Sequence, residues 1–199
     1  MISIIDYGAG NLSSVKNALD LLELDSRITC KPDFAGSNAI ILPGDGSFGF
    51  MMKSIRKNKL EKPILDFIKS KKPFLGICLG LQALFEESEE SPNVKGLCVF
   101  KGKVLKFRKG KVPQIGWNKI IPVSQGVEGI FVEDYVYFVN SYFILPDDES
   151  IVSAWADYGI KFASSIQKGN ITAMQFHPEK SGKIGIGMLR RWSKCLQKE

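Results

Sequence analysis

The sequence predicts an α/β fold: a mostly parallel, doubly wound sheet with added antiparallel strands. Three observations lead there. Short apolar runs alternate with segments of helical spacing over about the first ninety residues, the order expected of parallel strands and crossover helices. Two of those runs, at 2–5 and 39–43, empty directly into glycine-bearing loops. The second half then changes character, reading mostly as strands before one closing amphipathic segment.

Taken in order, Ile2-Ser3-Ile4-Ile5 before Asp6-Tyr7-Gly8 suits a buried parallel strand and its exit loop. After Asn11, residues Leu12, Val15, Ala18, Leu19 and Leu22 recur at helical spacing. A second strand is predicted near 26–30. Ala39-Ile40-Ile41-Leu42-Pro43 is a third, running into the glycine-rich loop 44–49. A helix is predicted over 60–70, with Leu60, Ile64, Leu65 and Ile68 on one face. PFLGI (73–77) is a further strand, followed at once by a helical pattern in CLGLQALFEES. Beyond residue 100, VLKF (104–107), VYFVNSY (136–142), IVSAWA (151–156), FASSIQ (162–167) and ITAMQF (171–176) read as strands. The last two are joined by a hairpin turn at 168–170. Ile184, Ile186, Met188, Leu189, Trp192 and Leu196 mark an amphipathic helix over 183–197.

A chain of 199 residues that is 44% hydrophobic can bury one good core, so a single domain over 1–199 is expected. No apolar stretch approaches the roughly 18–20 residues that span a bilayer. The N-terminus reads as a strand rather than a signal peptide, so a soluble cytoplasmic protein with no membrane partner is expected. The cysteines Cys30, Cys78, Cys98 and Cys195 are far apart and form no C-x-x-C pair. Beside a single histidine they argue against a zinc site, and neither metal nor cofactor is expected. The net charge of +6 concentrates in KSKKP (69–73) and KGKVLKFRKGK (101–111), without any motif for nucleic acid. Val104, Leu105 and Phe107 interrupt the second cluster, as on a strand with one wet face. A solvated edge is the plainer reading, and a docking surface for an acidic partner is the sharper one.

The chemistry starts at Gly76-Ile77-Cys78-Leu79-Gly80. A nucleophile between a buried strand and a helix, with a glycine two residues to either side, has the form of a nucleophile elbow. The tight turn forces strained backbone angles on Cys78, and the glycines make room for it. The elbow sets the sulfur at a helix N-terminus, where free N–H groups and the dipole lower a thiol's pKa. It also aims the N–H of Leu79 at a forming oxyanion. The base has one candidate, His177, in Gln175-Phe176-His177-Pro178-Glu179 just past a strand end. Pro178 stiffens that segment, so Glu179 can turn back and orient the imidazole, completing a Cys–His–Glu set. Gly44-Asp45-Gly46-Ser47-Phe48-Gly49 follows the third strand, where open α/β sheets present backbone N–H groups, and is the natural second oxyanion donor.

LPGDGSFG, GICLGLQALFEES and QFHPEKS, in this order and spacing, resemble the class I (triad-type) glutamine amidotransferases, over essentially the whole chain. IDYGAGNLSSV, GWN (116–118), YFVNSY (137–142) and HPEKS (177–181) look most like the glutaminase subunits of imidazole glycerol phosphate synthase, an enzyme of histidine biosynthesis. The resemblance implies Cys78 as nucleophile, His177 as base and Glu179 as orienter, with oxyanion N–H groups from Gly46 and Leu79. It implies that Gly44, Gln82, Glu90, Ser141 and Tyr142 hold glutamine, Gln82 lying one helical turn after Cys78 and so on its face. It also implies a heterodimer with a (β/α)8 barrel cyclase that receives the ammonia. Gln114, Trp117, Asn118, Asn140 and Lys180 match positions that face this partner.

Three positions depart from the family pattern. Asp45 stands where the loop usually has an apolar residue, and Gln114 and Asn140 each stand where histidine is usual. None is in the Cys–His–Glu set. They leave open an alternative acceptor, a related barrel that makes an amidino group on a surface-polysaccharide sugar. A non-catalytic regulatory subunit would leave the intact triad unexplained, and a cysteine peptidase would leave the glutamine-holding residues unexplained.

Overall fold

Residue alternation decides how the sheet is covered. The computed structural model describes residues 1–123 and 129–197. In strand β3 (Ala39–Leu42), Ile40 and Leu42 enter one buried apolar cluster while Ala39 and Ile41 enter another, as side chains alternate across a sheet. Strand β1 (Ile2–Ile5) is likewise buried on both faces. Helix α1 (Leu12–Leu21) closes one face with Val15, Ala18 and Leu19. Asn11 caps it, its side chain accepting from the Ser14 N–H. Helices α2 (Phe48–Lys57) and α3 (Glu61–Lys69) close the other, through Met51, Met52 and Ile55 and through Ile64 and Phe67. The sheet is therefore doubly wound, as predicted.

Strand β2 (Ser26–Thr29) and strand β4 (Phe74–Ile77) complete the parallel part, ordered β2-β1-β3-β4. After the one-turn helix α4 (Leu79–Gln82), the short β5 (Glu87–Ser88) pairs with β6 (Gly102–Lys106). Then follow β7 (Gln114–Pro122), β8 (Asp134–Asn140), β9 (Tyr142–Pro146), β10 (Val152–Asp157), β11 (Lys161–Lys168) and β12 (Ile171–Met174). Strand β12 lies parallel to β4, and β11 returns beside it as a hairpin through Gly169 at φ 59°. From there β11, β10, β7 and β8 extend the sheet antiparallel. Helix α5 (Gly182–Ser193) packs Met188, Leu189 and Trp192 on the same side as α1. Among the described residues no helix is long and apolar enough to cross a membrane.

Four predicted elements need correction. The glycine-rich loop ends at Ser47, because Phe48, Met51, Met52 and Ile55 already form the buried stripe of α2, with Ser47 as its cap. The buried face of α3 is Ile64 and Phe67, continuing from Leu60, whereas Leu65 and Ile68 are only partly buried. The helix expected from CLGLQALFEES stops after one turn. The carbonyls of Ala83, Leu84 and Phe85 accept from Leu97, from Val99 and Phe100, and from Cys98 instead of from downstream amides. The strand expected over 136–142 is two strands broken at Ser141, with β8 pairing with β7 and β9 with β6 and β11. Strand β7, absent from the prediction, buries only Gln114 and Ile120 and turns Ile115, Trp117 and Ile121 outward, so it lacks the pattern of a buried strand.

Candidate active site

The site is assembled by register. Leu42 of β3 lies beside Gly76 of β4, and Ile77 of β4 lies beside Met174 of β12, so three parallel strands end at one edge of the sheet. Ligands of open α/β sheets bind at such carboxyl ends. Gly44, Cys78 and Gln175 each follow within two residues of those ends.

Cys78 adopts φ 54° and ψ −109°, the strained elbow that the sequence predicts. Its N–H donates to Met174 O at 2.8 Å, tying the turn to β12. The flanking glycines are needed for space: a Cβ on Gly80 would lie 1.8 Å from Leu42 O, and one on Gly76 2.9 Å from Gly80 O. Because α4 is a single turn, the dipole expected behind the sulfur is that of one turn only. Leu79 opens that turn, where a helix leaves its first N–H groups unpaired.

His177 immediately precedes a one-turn 3-10 helix, Pro178–Lys180, that begins with the stiff proline and carries Glu179. The His177 N–H donates to Tyr137 O at 2.9 Å, and its carbonyl accepts from Ser181 Oγ at 2.6 Å, so the backbone is held on both sides. Glu179 turns back as expected, with Oε1 2.8 Å from His177 Nδ1, which leaves Nε2 for the sulfur. Burial disfavours a charged imidazole here. Hydrogen bonding with Cys78 and with Glu179 outweighs that and raises His177 to about 10.

A cavity of about 240 Å³ opens beside the sulfur, lined by Gly46, Leu79, Gln82, Glu90, Ser141 and Tyr142 among others. It is smaller than the roughly 300–1,000 Å³ of sites for drug-sized ligands and suits one amino acid. Of the residues expected to hold glutamine, only Gly44 is not in its wall. A Cβ there would meet Leu79 Cβ at 2.3 Å, so Gly44 serves close packing of the loop on the elbow. Glu90 brings a carboxylate to the cavity and accepts the first N–H of α2, from Phe48, at 2.6 Å. Asp45 also lines the cavity, and its backbone N–H and carbonyl both meet the buried Tyr7 hydroxyl at 3.0 Å. Burial pushes that phenol up to about 12, so it stays protonated and can serve as donor and acceptor.

The positions that the resemblance implies to face a partner divide. Trp117 is 57% exposed on β7, and Asn118 and Lys180 are half-buried. Gln114 and Asn140 are buried, paired across β7 and β8 just inside that face, and Asn140 reaches the cavity wall. Two residues that sequence reasoning left without a role stand against the site: Tyr7 behind the loop and Gln175 beside the sulfur. Both lie within motifs already quoted, Tyr7 in IDYGAGNLSSV and Gln175 in QFHPEKS, and each follows closely on a strand end.

A cysteine at a strand–helix turn, an imidazole backed by a carboxylate and a small acidic cavity are parts that acyl transfer can use. The family model for class-I glutamine amidotransferases matches residues 3–192. The chain belongs to the class-I glutamine amidotransferases. It is 44% identical to the imidazole glycerol phosphate synthase subunit HisH of Rhodopirellula baltica, over 97% of each chain. It is also 44% identical to the subunit of that name from Methanothermobacter thermautotrophicus, over 99% of this chain and all of that one. A solved glutamine amidotransferase with 20% identity superposes with a TM-score of 0.80 over 99% of both chains, a likeness of fold. This amidotransferase carries a large mixed sheet to which the Cys78 turn is anchored through Met174 O.

Proposed function

We propose that this amidotransferase is the glutaminase subunit of imidazole glycerol phosphate synthase, splitting glutamine into glutamate and ammonia for a (β/α)8 barrel cyclase. The observation that carries the reading is the near-full-length identity to subunits of that synthase. The sugar-amidinating alternative finds no support among these relatives. A single domain over 1–199 and a cytoplasmic location belong to the same proposal.

In the proposed mechanism Cys78 Sγ attacks the side-chain amide carbon of glutamine. The carbonyl oxygen becomes an oxyanion received by the Leu79 N–H and, once it is free, the Gly46 N–H. His177 gives a proton to the amide nitrogen, the C–N bond breaks, and ammonia leaves behind a γ-glutamyl thioester. Water, deprotonated by His177, then attacks that carbon, and the C–S bond breaks to release glutamate. Glu179 holds the imidazole in the tautomer and orientation for both transfers. Glu90 suits the ammonium group of glutamine, and Gln82, Ser141 and Tyr142 line the remainder of its path. The exposed apolar stripe Ile115, Trp117, Ile121 and Tyr135 on β7 and β8 supports a protein partner on that face.

Two experiments test the reading. A glutamine-like electrophile should label Cys78 alone among the four thiols, and Cys78→Ala should abolish glutaminase activity. Labelling spread over Cys30, Cys98 and Cys195 would sink the assignment of the nucleophile. Failure of the histidine-pathway barrel subunit to bind would sink the assignment of the acceptor.

A further inference from the structure

Gln175 is fully buried against the nucleophile. It lies one residue beyond β12 as Cys78 lies one residue beyond β4, and the Met174–Ile77 register makes them neighbours. The orientation of its amide follows by elimination. The Tyr142 carbonyl can only accept, so the Gln82 atom 3.3 Å from it is Nε2. That same NH2 group lies 3.0 Å from Gln175, whose facing atom is therefore Oε1. The other end of the amide, Nε2, then faces Cys78 Sγ at 3.5 Å. Asn140 Nδ2 also donates to the Tyr142 carbonyl, at 2.9 Å, so that both of its lone pairs are used and the arrangement is fixed.

We propose that Gln175 is a positioning residue for the nucleophile, donating its amide N–H to the Cys78 sulfur and coupling that sulfur to Gln82 in the cavity wall. The inference rests on Cys78 being the nucleophile of a glutaminase. An N–H donor favours thiolate over thiol, whereas Val139 O, 3.9 Å from the sulfur, can only accept and favours the thiol. Gln82 lines the cavity, and its Oε1 is buried with no hydrogen-bond partner among the described residues, so it is an acceptor left over for an N–H of bound glutamine. A donor arriving there polarises the Gln82 amide, which strengthens its bond to Gln175, which in turn strengthens the N–H on sulfur. Substrate thereby stabilises the thiolate that attacks it. The titratable groups around the sulfur are His177 backed by Glu179, Tyr7 behind it, and Asp45 and Glu90 across the cavity. Gln175 does not titrate, so its N–H is offered to the sulfur at any pH.

The test is iodoacetamide alkylation across pH, read peptide by peptide, together with kcat and KM for glutamine, in wild type, Gln175→Met and Gln175→Glu. Methionine keeps the volume without a donor; glutamate keeps the acceptor for Gln82 but sets a carboxylate against the sulfur. The pH midpoint of Cys78 alkylation should rise by about one pH unit or more in Gln175→Met, and further in Gln175→Glu. In Gln175→Met kcat should fall about tenfold or more, with KM changing less than about threefold. A side chain that merely fills space would lower thermal stability without moving the Cys78 midpoint, and an unmoved midpoint in either folded variant overturns the inference. A Gln175→Met chain that fails to fold passes the decision to Gln175→Glu. The wild-type arm is read separately with the glutamine-like electrophile: if Cys78 reacts no faster than the other thiols, the glutaminase reading fails, not the Gln175 inference alone.

Discussion

The N–H of Gly46 donates to the carboxylate of its own neighbour, Asp45, at 2.8 Å. Tyr7 holds the same loop from behind through both backbone polar atoms of Asp45. A donor engaged by a carboxylate is withheld from an oxyanion, so in the proposed mechanism the isolated chain works with the Leu79 N–H alone.

Asp45→Val should therefore release Gly46 and raise the basal glutaminase rate of the isolated chain. One oxyanion donor is worth roughly 10²–10³ in rate, and at least about tenfold of that should appear. Because the donor acts on the transition state, KM for glutamine should stay within about twofold. Steady-state kinetics on the two proteins decide it. An unchanged or lower kcat in Asp45→Val would mean that the carboxylate does not hold the loop back.

The second prediction uses the fact that the chain has one histidine, so a single imidazole reports on the site. Burial lowers His177 and hydrogen bonding with Cys78 and Glu179 raises it to about 10, so Cys78→Ala should bring its NMR titration midpoint down. The folded value lies above the unfolded value of 6.5. Its stability contribution is thus fully present below pH 6.5 and is lost as pH rises through about 10. Denaturant unfolding of wild type should lose stability across that window, and Glu179→Gln should lose less. A wild-type imidazole titrating near its ordinary value would remove the argument.

What could be read in the sequence divides along physical lines. The parallel strands Ile2–Ile5, Ala39–Leu42 and Phe74–Ile77 were legible because strands buried on both faces leave unbroken apolar runs. The turn at Cys78 and the His177–Glu179 contact were legible because each rests on fixed spacings within one short stretch of chain. Helix α2 is masked in the sequence although Phe48, Met51, Met52 and Ile55 have helical spacing, because Gly44, Gly46 and Gly49 give its start the composition of a loop. The break at Ser141 has no local signal. It exists because Gln114–Asn140 pairing on one side and Lys106–Tyr142 pairing on the other pull the chain to different strands. That break sets Asn140, Ser141 and Tyr142 in the cavity wall. The Tyr7 and Gln175 contacts, spanning 38 and 97 residues of chain, depend wholly on the tertiary fold.

Gly80 tests how closely the elbow is pressed on the sheet. Its missing Cβ would fall 1.8 Å from a backbone oxygen, which cannot move without shifting β3. Gly80→Ala should cost about 1–3 kcal/mol or more and displace Cys78, cutting glutaminase activity as well as Tm. Gly36→Ala is the contrast, because a Cβ there meets nothing within 4 Å. It should stay within about 0.5 kcal/mol of wild type. Equal Tm values for the two variants would contradict the close approach.

The last prediction concerns coupling to the partner. An ammonia-transfer enzyme wastes glutamine if it works without its acceptor, so turnover in isolation should be low. The exposed face of β7 and β8 carries Ile115, Trp117 and Tyr135, with the Trp117 ring edge-on to Tyr137 at 6.0 Å. The same two strands end at Gln114 and Asn140, whose side chains are buried, and Asn140 shares the Tyr142 carbonyl with Gln82. The Gln114 amide has no hydrogen-bond partner among the described residues, so this end of the sheet has an unmet demand that a shift of β7 against β8 could answer. A partner seated on Trp117 thus acts on strands that terminate at the cavity, and it can favour the loop state in which Gly46 is free. The barrel subunit, with its acceptor substrate bound, should raise turnover by at least about tenfold. Trp117→Ala should weaken its binding by about thirtyfold, the cost of losing one aromatic anchor of roughly 2 kcal/mol. In Asp45→Val, where the latch is already released, the same partner should activate much less. Full activation of Asp45→Val would separate partner coupling from the loop, and an isolated wild-type chain as fast as the complex would rule out gating altogether.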